Sequence, residues 1–267
     1  MLNLLDIYKN EFGYTKKKFG QHFLTSQQFI DMIADSLVSA ECKQVVEIGP
    51  GCGVLTHAML EKGVDVTAIE IDEDLANFLP RYLFIYKGFK VIHSDFLKIT
   101  EDQLPEGKIA LAGNLPYNLS VDILMYCIKF IDKIEKLTFM FQKEVADRIN
   151  ANMNTKEYSS LSVITSYFFE KKKLKDISGG QFWPNTKVRS TVLEFYPKER
   201  ALDPENEKKF LDFVRKSFML KRKTLHNNLK SYIGHEEAME RAGLASNIRG
   251  EQMSVDDFLR LYGELNV

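Results

Sequence analysis

The sequence predicts an α/β fold built on a mainly parallel sheet, followed by a smaller helical segment. Three observations predict it. Short β-rich runs alternate with helical stretches between residues 26 and 141. A glycine-rich turn, Glu47-Ile48-Gly49-Pro50-Gly51-Cys52-Gly53, joins the first such run to a helix. From Pro204 onward the pattern is helical, broken near Gly234, Gly243 and Gly250. Strands separated by helices need crossover connections, and crossovers make neighbouring strands parallel.

The elements follow in order. Residues 1–18 read as a mobile or loosely docked extension. Residues 26–39 carry Phe29, Ile30, Ile33, Leu37 and Val38 at helical spacing. Gln44–Ile48 is a short buried strand, and a helix follows the glycine-rich turn as far as Leu60. Asp65–Ile69 is a second strand, ended by Glu70. Lys90–His93 is a third, ended by Asp95, and Ile109–Ala112 a fourth, ended by Asn114. Leu137–Phe141 is a fifth. Ser190–Tyr196 alternates and is β-branched, which predicts an antiparallel edge strand closed by Pro197. A boundary near 197–203 divides a large domain, 19–200, from a helical one, 201–267.

Composition narrows the class. A chain of 267 residues, 45% hydrophobic and 27% charged, is long enough for one large domain or for one large and one small. No run approaches the roughly 18 apolar residues of a spanning helix. Asp6, Lys9 and Glu11 interrupt the apolar start at Met1 to Leu5, so it does not read as a signal peptide. Cys42, Cys52 and Cys127 form no metal-like cluster, so a reduced, cytoplasmic protein without a metal is expected. The net charge is -1, so a nucleic-acid partner has to be met by local patches. Three are visible: Lys16-Lys17-Lys18, Lys171-Lys172-Lys173, and Lys208 to Lys230, where Asp212 is the only acid.

The chemistry lies at the strand ends, where open parallel sheets bind their ligands. Gly49, Gly51 and Gly53 let a backbone turn sharply and come close to a ligand. Their G-x-G-x-G spacing departs from the G-x-G-x-x-G of dinucleotide sites and favours S-adenosylmethionine over NAD. Glu70 follows Gly51 by about the twenty residues expected of a ribose-binding carboxylate. Asp95 can accept from an adenine amine, or simply cap the next helix. Asn114-Leu115-Pro116-Tyr117 suits a planar amine. The Asn114 side-chain oxygen and the Leu115 carbonyl accept from the two N–H groups, Pro116 fixes the turn, and Tyr117 offers a stacking face.

Four ordered motifs carry a resemblance: Gly20-Gln21-His22-Phe23-Leu24; Glu47 to Gly53 with Leu55-Thr56; Asn114 to Ser120; and Gln142-Lys143-Glu144-Val145-Ala146-Asp147-Arg148. Tyr158 to Val163, Phe182 to Ser190, and Arg222 to Leu229 extend it. Over about residues 16–262 the chain resembles the ribosomal RNA adenine dimethyltransferases, and within them the small-subunit members. The resemblance implies a class I S-adenosylmethionine-dependent methyltransferase domain, Rossmann-like with a seven-stranded mainly parallel sheet, and a small C-terminal helical domain that recognises rRNA. It implies N6,N6-dimethylation of two adjacent adenosines in the 3′-terminal hairpin loop of 16S rRNA, within an immature 30S subunit, and a role in that subunit's biogenesis by a monomeric enzyme. Cofactor contacts map onto His22, Leu24, Gly49, Glu70, Asp95 and Asn114, with Gly51, Gly53, Ile71 and Phe96 beside them. Lys187, Arg189, Lys221, Arg222 and Lys223 are the expected RNA contacts.

The chain also departs from the family pattern. His22 stands where Asn is more usual, Arg189 replaces an acid, and Ser159 replaces a glycine. Three rival readings remain: a 23S rRNA adenine methyltransferase of the macrolide-resistance type, a protein or DNA amine methyltransferase, and a non-catalytic ribosome-assembly factor on the same fold.

Overall fold

The computed structural model describes residues 3–16, 19–38 and 42–265. Its strands, in chain order, are β1 Phe23–Leu24, β2 Gln44–Ile48, β3 Asp65–Glu70, β4 Phe89–His93, β5 Ile109–Asn114, β6 Ile134–Gln142, β7 Phe169–Ile177, β8 Phe182–Trp183 and β9 Ser190–Pro197. Seven of them form one sheet in the order β4-β3-β2-β5-β6-β9-β7, while β1 pairs with β8 in a separate antiparallel ribbon. From β4 across to β6 every pairing is parallel, and β9 returns antiparallel to β6. The helices Gln27–Leu37, Val54–Glu61, Glu73–Leu83 and Ser120–Cys127 precede or connect these strands.

The order of the strands positions the site. The chain runs from β2 outward through β3 to β4, then crosses back to lay β5 on the other side of β2. Adjacent strands whose connections leave in opposite directions open a crevice at their carboxyl ends. That crevice lies between Gly49, after β2, and Asn114, at the end of β5.

Three sequence expectations are corrected. The Ser190–Tyr196 strand is not an edge: β9 lies between β6 and β7, and the edge is β7. That strand reads as a charge run, Phe-Glu-Lys-Lys-Lys-Leu-Lys-Asp-Ile, because lysines on an exposed edge discourage pairing with another chain. The amino-terminal segment, where it is described (residues 3–16), is not loosely docked. Asn3 caps a helix, Leu4–Glu11, whose Leu4, Leu5 and Tyr8 are buried in the sheet's core cluster. Burying three such side chains supplies the free energy that orders the segment. The third correction concerns the boundary. Residues up to Ala146 and Lys172–Pro197 form one compact unit, and Asp147–Lys171 with Lys198 onward form a second. Residues 147–168, which precede β7, thus group with the carboxyl-terminal helices rather than the sheet. Within that second unit Tyr158 donates to the Met253 carbonyl at 2.9 Å, and the Tyr167 and Phe210 rings meet at 5.2 Å. Among the described residues no helix is long and apolar enough to cross a membrane.

Candidate active site

A cavity at the β2–β5 crevice is lined by residues 19–24, Glu47, Gly49–Gly51, Val54, Leu55, Glu70, Ile71, Leu75 and Gly113–Tyr117, with Ile33, Thr138, Met140 and Val192 beneath. It therefore gathers the predicted His22, Leu24, Gly49, Gly51, Glu70, Ile71, Asn114, Leu115, Pro116 and Tyr117. Gly53, Asp95 and Phe96 fall outside it. The Gly53 α-carbon faces Leu79 and Leu4, a packing role. Asp95 realises its simpler reading: it caps a short 3₁₀ turn by accepting from the Leu97 N–H at 3.0 Å. Phe96 is buried against the Tyr126 and Phe130 rings.

The loop after β2 is shaped as a cradle. Gly49 and Gly51 both take positive φ, +65° and +58°. A Cβ on Gly49 would meet nothing within 4 Å and would project into open space at the cavity wall, room that a ligand can use. A Cβ on Gly51 would strike the Phe23 ring at 2.6 Å, so glycine is required there for the β1 segment to close over the loop. Phe23 is held in turn by Trp183, stacked at 6.2 Å, and edge-on by Tyr8 at 5.1 Å.

Glu70 ends β3 with a carboxylate only 4% exposed. It accepts from the Asp72 N–H at 2.8 Å and the Gly51 N–H at 3.2 Å. Burial pushes its carboxyl up to about 7, against the opposing pull of those two N–H donors. Each oxygen keeps a lone pair beyond its backbone contact, the acceptor set that a vicinal diol fits. Deeper in, Glu47 accepts from the Thr56 hydroxyl at 2.5 Å, and full burial lifts its carboxyl to about 8. Nearby, Gln21 and Lys16 both bind Asp72, at 2.8 and 2.5 Å. This ties the approach to β1 down beside the carboxyl end of β3.

Asn114 is oriented rather than free. Its amide NH₂ donates to the His22 carbonyl at 2.7 Å, so Oδ1 is the end left for a ligand. His22 thus acts on the site through its backbone. Its ring Nδ1–H donates to the Pro184 carbonyl at 2.8 Å, and its ring lies nearly parallel to Tyr117 at 6.4 Å, 19° apart. The Tyr117 hydroxyl is paired with Ser190 at 2.9 Å, and burial raises its pKa, so the ring is a neutral stacking surface and not a base. Sequence reasoning missed Ser190, Pro184, Gln21 and Glu47 as parts of the site. All four lie inside the quoted motifs, but nothing in the pattern singled them out as site residues.

The expected RNA contacts divide. Lys187 and Arg189 are exposed on the loop before β9, in the sheet unit. Lys221, Arg222 and Lys223 are exposed in the turn after the helix Pro204–Ser217, in the second unit. Two of the three basic patches change meaning. Lys171 Nζ is buried, donating to the Ile149 carbonyl at 2.6 Å and the Ser166 hydroxyl at 2.7 Å, and burial lowers it to about 8. Lys173 pairs with Asp176 at 2.8 Å and Lys172 with Glu194 at 3.7 Å. Lys16 is held by Asp72 and Asp74, while Lys17 and Lys18 lie outside the described residues. The charges of Lys16 and of Lys171, Lys172 and Lys173 therefore balance local acids or support local packing, and among the described residues of the three patches those at 208–230 still face outward as a group.

Residues 14–266 match the family described as ribosomal RNA adenine dimethylase. The chain is 39% identical over 265 residues to ribosomal RNA small subunit methyltransferase A of Clostridium botulinum (strain Kyoto / Type A2), covering 96% of this chain and 95% of that one. It is 36% identical over 260 residues to the protein of the same name from Acinetobacter baylyi, covering 96% and 94%. Among solved structures, 23S rRNA methyltransferase ErmE superposes with a TM-score of 0.72 at 25% identity, over 92% of this chain and 100% of that one. A dimethyladenosine transferase from Plasmodium falciparum superposes at 0.75 with 24% identity, over 92% and 98%, a likeness of fold. With Asn114 at the strand crossover and a match along almost its whole length, the chain belongs to the ribosomal RNA adenine dimethylase family, as an enzyme of rRNA methylation.

Proposed function

We propose that the chain uses S-adenosylmethionine to dimethylate N6 of two adjacent adenosines in the 3′-terminal hairpin loop of 16S rRNA, acting as a cytoplasmic monomer on the immature 30S subunit during its biogenesis. The observation that carries this reading is Asn114, which lines the Glu70 cavity with its NH₂ occupied by the His22 carbonyl, so that Oδ1 is the end left for a ligand.

The residues of the cavity fit the cofactor: Glu70 for the ribose diol, and the open wall at Gly49 for its amino-acid end. When bound, S-adenosylmethionine supplies a methyl group already made electrophilic by its sulfonium. The chain's own residues then have to improve the nucleophile. The N6 lone pair of adenine is delocalised into the ring. Asn114 Oδ1 and the Leu115 carbonyl, accepting from the two N6 hydrogens, draw the nitrogen toward a tetrahedral shape and aim its lone pair. Tyr117, its hydroxyl fixed by Ser190, stacks on the extruded base. No general base is needed, because the methylated ammonium is acidic and releases its proton to water. Catalysis is orientation and charge placement. The monomethylated base has one N6 hydrogen, so the second transfer leans on the Tyr117 stack.

The test is methylation of under-modified 30S subunits with labelled cofactor, followed by primer-extension mapping. Two adjacent modified adenosines near the 3′ end of 16S rRNA are expected. Modification of 23S rRNA alone would replace this reading with the one that the ErmE likeness favours, and binding of 30S particles without any methylation would make the chain an assembly factor.

A further inference from the structure

In the second unit, two histidines and a glutamate converge where neither the fold nor the proposed reaction requires them. The helix Leu225–Asn228 carries His226, and the helix His235–Arg241 begins with His235 and Glu236. Between them the chain turns through Gly234 at φ +75°. His235 Nε2 lies 3.3 Å from His226 Nδ1, and His226 Nδ1 lies 3.4 Å from Glu236 Oε1. All three ligand atoms fall within 4.8 Å of one another, the one group of three such residues among those described.

We propose that His226, His235 and Glu236 form a binding site for a divalent first-row transition ion, zinc being the natural occupant. The distances carry the argument. Zinc–nitrogen and zinc–oxygen bonds are about 2.0–2.1 Å, so a tetrahedron's ligands stand roughly 3.3–3.4 Å apart. The two measured separations match that edge. The proton positions agree as well. His235 Nδ1 faces the Tyr232 carbonyl at 2.9 Å, and a carbonyl can only accept. The proton therefore sits on Nδ1, and Nε2 turns its lone pair toward His226. A ring nitrogen anchored to a backbone carbonyl while the other faces a cluster is the arrangement that orients metal-binding histidines. The carbonyl is itself held in the turn, since it also accepts from the His235 N–H at 3.3 Å.

Two imidazoles and one carboxylate leave one tetrahedral position open. His226 and Glu236 border an open cleft of about 820 Å³, with Glu240, Gly243 and Ser246 on its walls, so that position is left to water. The ion would join the two helices and hold the turn between them.

The experiment titrates the EDTA-treated full chain with cobalt(II) chloride and zinc(II) chloride. One equivalent of cobalt is expected to give the intense visible bands of a tetrahedral site, and zinc to displace it. His226→Gln and His235→Gln should each weaken binding at least tenfold, while His57→Gln and His93→Gln should not change it. Thermal melts of the metal-free variants verify that each is folded. A wild-type chain that binds cobalt no better than the His226→Gln/His235→Gln double variant overturns the site, as does a wild-type cobalt spectrum of purely octahedral type. The wild-type spectrum needs no variant, so misfolding of a variant leaves the proposal testable.

Discussion

At the scale of single residues, Asn114 is held at one end, and the proposed reaction uses the other. Its NH₂ is spent on the His22 carbonyl, which prevents the amide from flipping and leaves Oδ1 in place. Asn114→Ala should therefore lower the methylation rate by about 10²-fold or more, a loss of the size seen when one preorganised polar contact to a transition state is removed. Binding of 30S particles should stay within about threefold, because the contact is made at the reacting nitrogen. Labelled-methyl incorporation beside a particle-binding assay checks both, and a near wild-type rate would remove Asn114 from the mechanism. Glu47 makes a different kind of prediction. Its carboxyl is raised by burial to about 8 in the folded chain, from an ordinary value near 4.5. Below pH 4.5 it is neutral in both states and contributes no pH-dependent cost. As pH rises toward 8 the unfolded chain ionises freely while the folded one resists, so stability is progressively lost. Glu47→Gln keeps an acceptor for Thr56 and removes the charge. It should match the wild type near pH 4 and melt higher at pH 8.5, by about 2–4 °C for each kcal/mol recovered. Equal melting shifts at both pH values would show that Glu47 is not ionising in that range.

At the scale of elements, strand ends were easy to read and their partners were not. Gly49, Glu70 and Asn114 each close a short apolar run, and an open parallel sheet brings such ends together whatever the intervening loops do. Asp95 could not be settled in that way, because an acid after a strand is equally a helix cap, and the structure uses it as one. The His22 carbonyl that orients Asn114 is 92 residues away and is a backbone atom, so no side-chain pattern marks it. The edge strand β7 hid behind its lysines, and His226 and His235 sit nine positions apart with no ligand spacing to announce them. The amino-terminal helix was misread for a related reason: eight residues carry too short a pattern to reveal which core they enter. Its Tyr8 ring packs against Phe12, Phe23 and Phe78, and Phe23 packs over Gly51. Tyr8→Ala should thus cost about 3–5 kcal/mol, as truncating a buried aromatic does. It should also weaken cofactor binding, since it loosens the side chain that closes the cradle. Denaturant unfolding and cofactor titration measure the two effects, and a stability loss below about 1 kcal/mol would mean that the helix is an accessory.

At the scale of the whole molecule, a chain of net charge -1 has to bind a polyanion. Long-range attraction cannot do this, so the interaction depends on cations left without a local acid. Several lysines near the sheet are already committed: Lys16 to Asp72 and Asp74, Lys136 to Glu194, Lys173 to Asp176. Lys221, Arg222 and Lys223 are different. They are consecutive and exposed in the turn after Ser217, with Met219 at 74% and Leu220 at 50% exposure beside them. Apolar side chains next to three cations suit an RNA surface, where bases stack and phosphates pair. Each phosphate contact releases about 0.7–0.9 of a counterion. If these three side chains each meet one phosphate, neutralising all three should reduce the slope of log K against log salt by about 2–3. Affinity at low salt should fall most, and binding should become nearly the same for wild type and variant as salt rises. The same substitutions should leave cofactor affinity unchanged, because none of the three lines the Glu70 cavity. Binding to 16S rRNA measured across a salt series decides it: an unchanged slope would assign the electrostatic contacts to Lys187 and Arg189 on the sheet unit instead.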